Sequence, residues 1–304
     1  MTAYSGVWVP LVTPFKDGLF DRVSYRRLIE HYLEQGIAGL FPLGTTGEAP
    51  TLDEDEVDAI VGETLQVVAG RVPVLVGIGG NATAKVVKEI RRLERHRFAG
   101  IVSVCPYYNR PTQHGLLDHF RFVSEATDRP ILIYNIPYRT GVNLANETLL
   151  ALAERPNIVG VKDSCGNLAQ SLDLLATRSA GFSILTGEDA LFFTMLANGA
   201  DGGILAAAHL ATATFVTIAR RMAANDHMGA LQLWRPLAPL VARLFAEANP
   251  MPVKYCLWRQ GLIASPECRS PLGSIGKSLA AELDRLLPAV VAVRERPLQI
   301  AATR

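Results

Sequence analysis

An α/β fold is what this sequence predicts: a (β/α)₈ TIM barrel followed by a C-terminal helical extension. Three observations carry that prediction. Short apolar, β-branched runs recur at 7–12, 39–43, 74–78, 100–105, 131–135, 158–162, 183–186 and 203–205. Longer amphipathic stretches lie between them, among others at 24–35, 53–69, 82–97 and 113–127. Beyond about residue 226 the strand signal stops, while the chain continues to residue 304.

Each short run is almost continuously apolar, as expected of a strand buried on both faces of a parallel sheet. Helical crossovers between consecutive strands force parallel pairing, and about eight such units in roughly 225 residues suit closure into a barrel. An open doubly wound sheet is the alternative arrangement of the same units. Helix starts are marked locally. Thr51-Leu52-Asp53-Glu54 fits a capping box, the acidic stretch from Thr51 to Glu56 suits a first helical turn, and Asn146 is placed to cap a helix over 147–153. Residues 227–304 read as three helices, interrupted at Asn249-Pro250-Met251-Pro252 and at Ser270-Pro271-Leu272-Gly273. No linker rich in Gly, Ser or Pro separates them from residues 1–226, so the extension is expected to pack on the barrel.

Composition narrows the function. Of 304 residues, 49% are hydrophobic and 19% charged, which excludes a disordered chain. A net charge of +1 leaves no basic field to hold nucleic acid. No run of about 18 apolar residues offers a membrane span, and Met1-Thr2-Ala3-Tyr4-Ser5 does not open a signal peptide. The cysteines at 105, 165, 256 and 268 form no CxxC pair, and the six histidines show no HxH or HExxH spacing. The expectation is a cytoplasmic protein with reduced, buried thiols, no metal, and neither nucleic acid nor membrane as partner.

In a barrel the chemistry sits at the C-terminal ends of the strands. Those ends read Gly44-Thr45-Thr46-Gly47-Glu48, Pro106-Tyr107-Tyr108-Asn109-Arg110, Tyr134-Asn135 with Ile136-Pro137-Tyr138-Arg139 behind it, Lys162-Asp163, and Gly187-Glu188-Asp189. Lys162 closes the apolar run Ile158-Val159-Gly160-Val161. Burial there disfavours its ammonium form and leaves an amine able to attack a carbonyl; pairing with Asp163 or Glu188 is the plainer reading. Thr45 and Thr46 lie in a glycine-flanked turn whose amides suit a carboxylate, unless it is an ordinary loop. Tyr134 is either an acid/base beside an imine or a core residue with a satisfied hydroxyl. Arg139 offers a planar fork for a carboxylate. Gly77-Ile78-Gly79-Gly80 and Gly202-Gly203 raise a phosphate site instead. Glu188 and Asp189 oppose it at the second, which favours a small carboxylated, unphosphorylated substrate.

Together these motifs, with Pro250-Met251-Pro252-Val253-Lys254, resemble the dihydrodipicolinate synthase / N-acetylneuraminate lyase family from about Gly6 to the C-terminal helices. The resemblance implies a Schiff base between Lys162 and C2 of pyruvate and a proton relay of Thr45, Tyr134 and Tyr108, the last from a neighbouring subunit. It further implies a carboxylate grip by Thr45 and Thr46, an Arg139 contact to the carboxylate of aspartate semialdehyde, and Gly187 and Ile204 as substrate-binding positions. No cofactor beyond the covalent imine is implied, and the assembly would be a homotetramer, a dimer of dimers. Arg139 favours the synthases over the sugar-acid lyases, whereas Tyr138 stands where the synthases often carry serine. Relatives inhibited by lysine use a glutamate and a histidine where this chain has Lys85 and Val57, so weak or absent inhibition by lysine is expected. A sister aldolase, dehydratase or deaminase for another 2-oxo acid, and a barrel that binds pyruvate-like acids without turnover, are the alternatives.

Overall fold

The computed structural model describes residues 4–295; Met1–Ala3 and the last part of the expected extension, 296–304, lie outside the described residues. Eight strands form one parallel sheet: β1 Gly6–Val9, β2 Gly39–Leu40, β3 Leu75–Gly77, β4 Gly100–Val104, β5 Ile131–Asn135, β6 Ile158–Asp163, β7 Ser183–Thr186 and β8 Gly202–Ile204. Their order around the sheet is β2-β1-β8-β7-β6-β5-β4-β3. A parallel bridge between Leu40 and Val74 joins its two ends, so the sheet closes and the open alternative is set aside.

The helices that wrap it are α1 Arg22–Glu34, α2 Glu54–Val68, α3 Thr83–Leu93, α4 Gln113–Glu125, the single turn α5 Pro137–Thr140, α6 Asn146–Leu152, α7 Leu168–Thr177, α8 Phe192–Ala197 and α9 Thr212–Ala223. Three more, α10 His227–Leu244, α11 Met251–Arg259 and α12 Lys277–Glu295, make the C-terminal extension.

Trp8, Phe41, Leu75, Val102, Leu132, Tyr134, Leu185 and Ile204 form one apolar cluster of buried side chains inside the barrel. Outside the sheet, Val7 and Val9 of β1 share one apolar core with Leu240 and Leu244 of α10 and with Leu283 of α12. Each such side chain contributes about 1.5–3 kcal/mol by leaving water. The extension is thus packed on the barrel.

Several local expectations shift. β1 ends at Val9 rather than at residue 12, because Pro10 has no N–H for the ladder; the Leu11 N–H still donates to the Phe41 carbonyl at 2.9 Å. The capping box belongs to Asp53 and Glu56, not to Thr51 and Glu54. Asp53 accepts from the Glu56 N–H at 2.8 Å, and the Thr51 hydroxyl is already committed to the Glu48 carbonyl at 2.9 Å. Asn146 is the first helical residue of α6 and not its cap. Its amide donates to the Gln170 carbonyl and to Asp173, at 3.0 and 2.7 Å, and so ties α6 to α7. All four cysteines are free, but only Cys105 and Cys256 are buried; Cys165 and Cys268 are half-exposed.

Candidate active site

A cavity of about 430 Å³ opens at the C-terminal end of the strands, with Phe41, Thr45, Val104, Tyr134, Arg139 and Asn249 among its walls. Lys162, on β6, is not itself part of its wall but lies behind two side chains that are, Phe41 and Tyr134. It pairs in register with Tyr134 on β5 and with Leu185 on β7, so all three point into the barrel. Its side chain is 4% exposed, and its Nζ lies 4.0 Å from the centre of the Tyr134 ring and 5.2 Å from that of Phe41.

Strand alternation turns the next residue the other way. Asp163 faces α7, where its carboxylate accepts from the Ser171 hydroxyl at 2.5 Å and the Cys165 N–H at 3.0 Å. Among the described residues no carboxylate forms an ion pair with Lys162, which removes the plainer reading of this lysine. Burial therefore pushes its ammonium pKa down to about 7, against the opposing pull of Asp189 and Glu188. The same burial raises those acids, Glu188 to about 7 and Asp189 to about 6. Tyr134 is raised by burial as well and by Tyr138, while the hydroxyls of Thr45 and Ser164 pull it back. An amine with a large neutral fraction near pH 7, beside a phenol coupled to a threonine hydroxyl, can add to a carbonyl and move the protons that addition requires.

The Thr45–Gly47 segment is a single 3-10 turn, bracketed by two non-glycine residues with left-handed backbone, Leu43 (φ 60°) and Glu48 (φ 55°). Backbone of this kind costs about 1–3 kcal/mol and is held by its surroundings. Gly77 on β3 is one of them: a Cβ there would collide with the Leu43 carbonyl. The glycines at 77 and 79 thus serve close strand approach at the cavity wall, which accounts for a motif that raised a phosphate site. Thr45 lines the cavity, whereas the Thr46 hydroxyl turns away and accepts from the Asn249 amide at 2.9 Å.

Arg139, carried by α5, is exposed at the mouth. It donates weakly to the Asn249 carbonyl at 3.4 Å and lies 5.8 Å from the Tyr138 ring centre. Gly187 touches the lysine stem, since a Cβ would come within 2.8 Å of Lys162 Cε. Ile204 sits in the barrel layer with Tyr134 and Phe41. Tyr108 is the one predicted site residue that stands apart: it is 85% exposed, with φ 71°, and Tyr107 lines the cavity of its own chain instead. Asn249 is the member that sequence reasoning missed. Asn249-Pro250-Met251-Pro252 reads as a helix break, and the Pro250–Lys254 motif points to a family without giving Asn249 a role.

Comparison with known proteins gives a consistent result. The chain is 49% identical over 282 residues to 4-hydroxy-tetrahydrodipicolinate synthase 2 of Clostridium acetobutylicum, covering 93% of this chain and 99% of that one. Its fold superposes on the crystal structure of dihydrodipicolinate synthase from Thermotoga maritima with a TM-score of 0.93 at 37% identity, covering 95% and 99% of the two chains. The synthase of Cyanidioschyzon merolae, solved with lysine bound, matches at 0.91 and 32% identity over 96% and 99%. The model of the Dihydrodipicolinate synthetase family matches residues 3–290. On sequence and fold together, the chain belongs to the dihydrodipicolinate synthetase family.

Proposed function

We propose that this protein is a pyruvate-dependent lyase that condenses pyruvate with aspartate semialdehyde to 4-hydroxy-tetrahydrodipicolinate through an imine at Lys162. The observation that carries the reading is the buried, unpaired Lys162 amine, poised near pH 7 against the Tyr134 phenol. The neutral Nζ attacks C2 of pyruvate and water leaves to give the protonated imine, an electron sink. Loss of a C3 proton then gives an enamine, whose carbon attacks the aldehyde, and the resulting alkoxide takes a proton to become the 4-hydroxyl. The amino group of aspartate semialdehyde then adds to C2 of the re-formed imine and expels the Lys162 amine, which closes the ring and frees the enzyme. Tyr134 and Thr45 pass the protons, and Tyr108 of a neighbouring subunit completes the relay. The Thr45 and Thr46 amides hold the pyruvate carboxylate. Gly187 leaves room beside the lysine stem, and Ile204 supports the floor. The cycle needs no cofactor besides this covalent imine. The working assembly is a homotetramer in the cytoplasm.

A panel of aldehydes offered to the pyruvate-loaded enzyme tests the choice of substrate. Aspartate semialdehyde is expected to be consumed fastest; preference for a sugar-acid aldehyde, or turnover of another 2-oxo acid alone, would replace this reading with that of a sister enzyme. Arg139→Ala removes the carboxylate fork at the mouth. The KM for aspartate semialdehyde is expected to rise about tenfold to a hundredfold, as for loss of a charged hydrogen-bonded contact, with the KM for pyruvate unchanged. Equal changes in both would move Arg139 out of the second-substrate site. Lys85 is exposed on α3, and its ammonium repels that of an incoming lysine. Initial rates are therefore expected to stay constant as lysine is added to millimolar concentration, and a steep inhibition curve would contradict this.

A further inference from the structure

The motif Pro250-Met251-Pro252-Val253-Lys254 takes no part in the chemistry above, yet it supplies a second buried lysine. We propose that the Glu48–Lys254 ion pair is a positioning device that sets the Thr45-Thr46 turn, which makes the C-terminal extension part of the pyruvate site.

Both side chains are sealed from solvent, Lys254 at 0% and Glu48 at 1% exposure. Lys254 Nζ donates to Glu48 Oε1 and, at 2.8 Å, to the Glu267 carbonyl, and it lies 4.3 Å from the centre of the Phe15 ring. The other carboxylate oxygen of Glu48 accepts from the Arg269 N–H at 2.8 Å. The carboxylate therefore has partners on both oxygens, all supplied by the extension. Glu48 itself closes the turn, its N–H donating to the Thr45 carbonyl at 3.1 Å, and its backbone is left-handed at φ 55°. A non-glycine residue keeps such a conformation only when neighbours over-determine it.

The same stretch of chain makes two further ties. Asn249 donates to Thr46 Oγ1, and Arg269 donates to the Thr51 carbonyl at 3.0 Å while pairing with Glu56 at the start of α2. A buried ion pair is a weak source of net stability, because desolvation offsets its attraction and apolar replacements are often neutral or better. What it supplies is direction. Two fixed bonds on the Glu48 carboxylate hold the turn whose amides must meet a small carboxylate, and an error of about 1 Å in such a contact slows a reaction about a hundredfold.

The inference rests on the pyruvate reading of that turn, and its test separates the two. Glu48→Gln combined with Lys254→Met removes both charges and leaves no unpaired ion. The thermal midpoint and the rate of borohydride-trapped pyruvate adduct at Lys162 are then measured against pyruvate concentration. The double variant is expected to melt near the parent, while half-saturating pyruvate rises about tenfold to a hundredfold and the KM for the aldehyde stays unchanged. Parental pyruvate dependence in a stable double variant would reduce the pair to a structural one and overturn the proposal. Should that variant not fold, Asn249→Ala breaks the second tie without leaving a buried charge, and it must show the same shift in pyruvate; no shift there would also overturn the proposal. Absence of any adduct in the parent enzyme would sink the pyruvate reading instead.

Discussion

Replacing Lys162 with methionine is expected to lower condensation by about 10⁵-fold or more, since loss of the nucleophile removes the entire covalent route. The fold should survive it. Lys162 makes no ion pair among the described residues, and its buried Nζ lies over the Tyr134 and Phe41 rings, so an apolar side chain of similar length suits the site and the thermal midpoint should hold or rise. The pH dependence of imine formation in the parent enzyme follows from the same burial. The amine is lowered from an ordinary value of 10.5 to about 7, so the reactive neutral form dominates above that pH and the ammonium below it. The trapping rate should rise about tenfold per pH unit from pH 5.5 and level off above about 7. A rate still climbing at pH 9 would mean that the amine is not desolvated in this way.

The second large effect belongs to Tyr134. Tyr134→Phe keeps the ring that packs in the barrel layer and deletes only the hydroxyl beside Thr45. Positioned proton transfer is worth about a hundredfold to ten-thousandfold, so kcat should fall by that order with the pyruvate KM little changed. A loss of less than about fivefold would place the proton transfer elsewhere. Tyr108→Phe should slow turnover in the same manner, but only within the assembly. Tyr108 is 85% exposed on its own chain; if a neighbouring subunit supplies it to the relay as proposed, diluting the parent enzyme until it dissociates should lower its specific activity to that of the variant.

That Lys162, Tyr134 and Arg139 gather at one end of the barrel was legible in the sequence, because polar residues at or just after the ends of apolar runs in a parallel barrel are delivered to a common rim; the roles proposed for them came from the family resemblance. The eight strands were legible for the related reason that both faces are buried, so their apolar runs are unbroken. Helix starts were read less well. Thr51 and Asp53 are both good caps two residues apart, and the choice between them is made by the 3-10 turn at Ala49–Thr51, which the sequence does not announce. Asn146 looked like a cap but is drawn off by Asp173 on the next helix. The ties of the extension to the site were hidden by distance along the chain. Asn249 and Thr46 are 203 residues apart, and Lys254 and Glu48 are 206 apart. No periodicity or cap signal reports a partner so remote, so the Pro-rich segment read as a helix break and a family motif, with no sign that Asn249 lines the cavity. Tyr108 shows the opposite limit, because the role proposed for it lies with a second chain that neither one sequence nor one subunit contains.

The chemistry proposed here turns on an imine between Lys162 and pyruvate. It is tested most directly by borohydride reduction of the full-length protein in the presence of pyruvate, followed by intact mass and peptide mapping. One reduced pyruvate adduct per chain is expected, located on Lys162 and absent from Lys162→Met. No adduct on folded protein with active reagent, or an adduct mapped to another lysine, would contradict it.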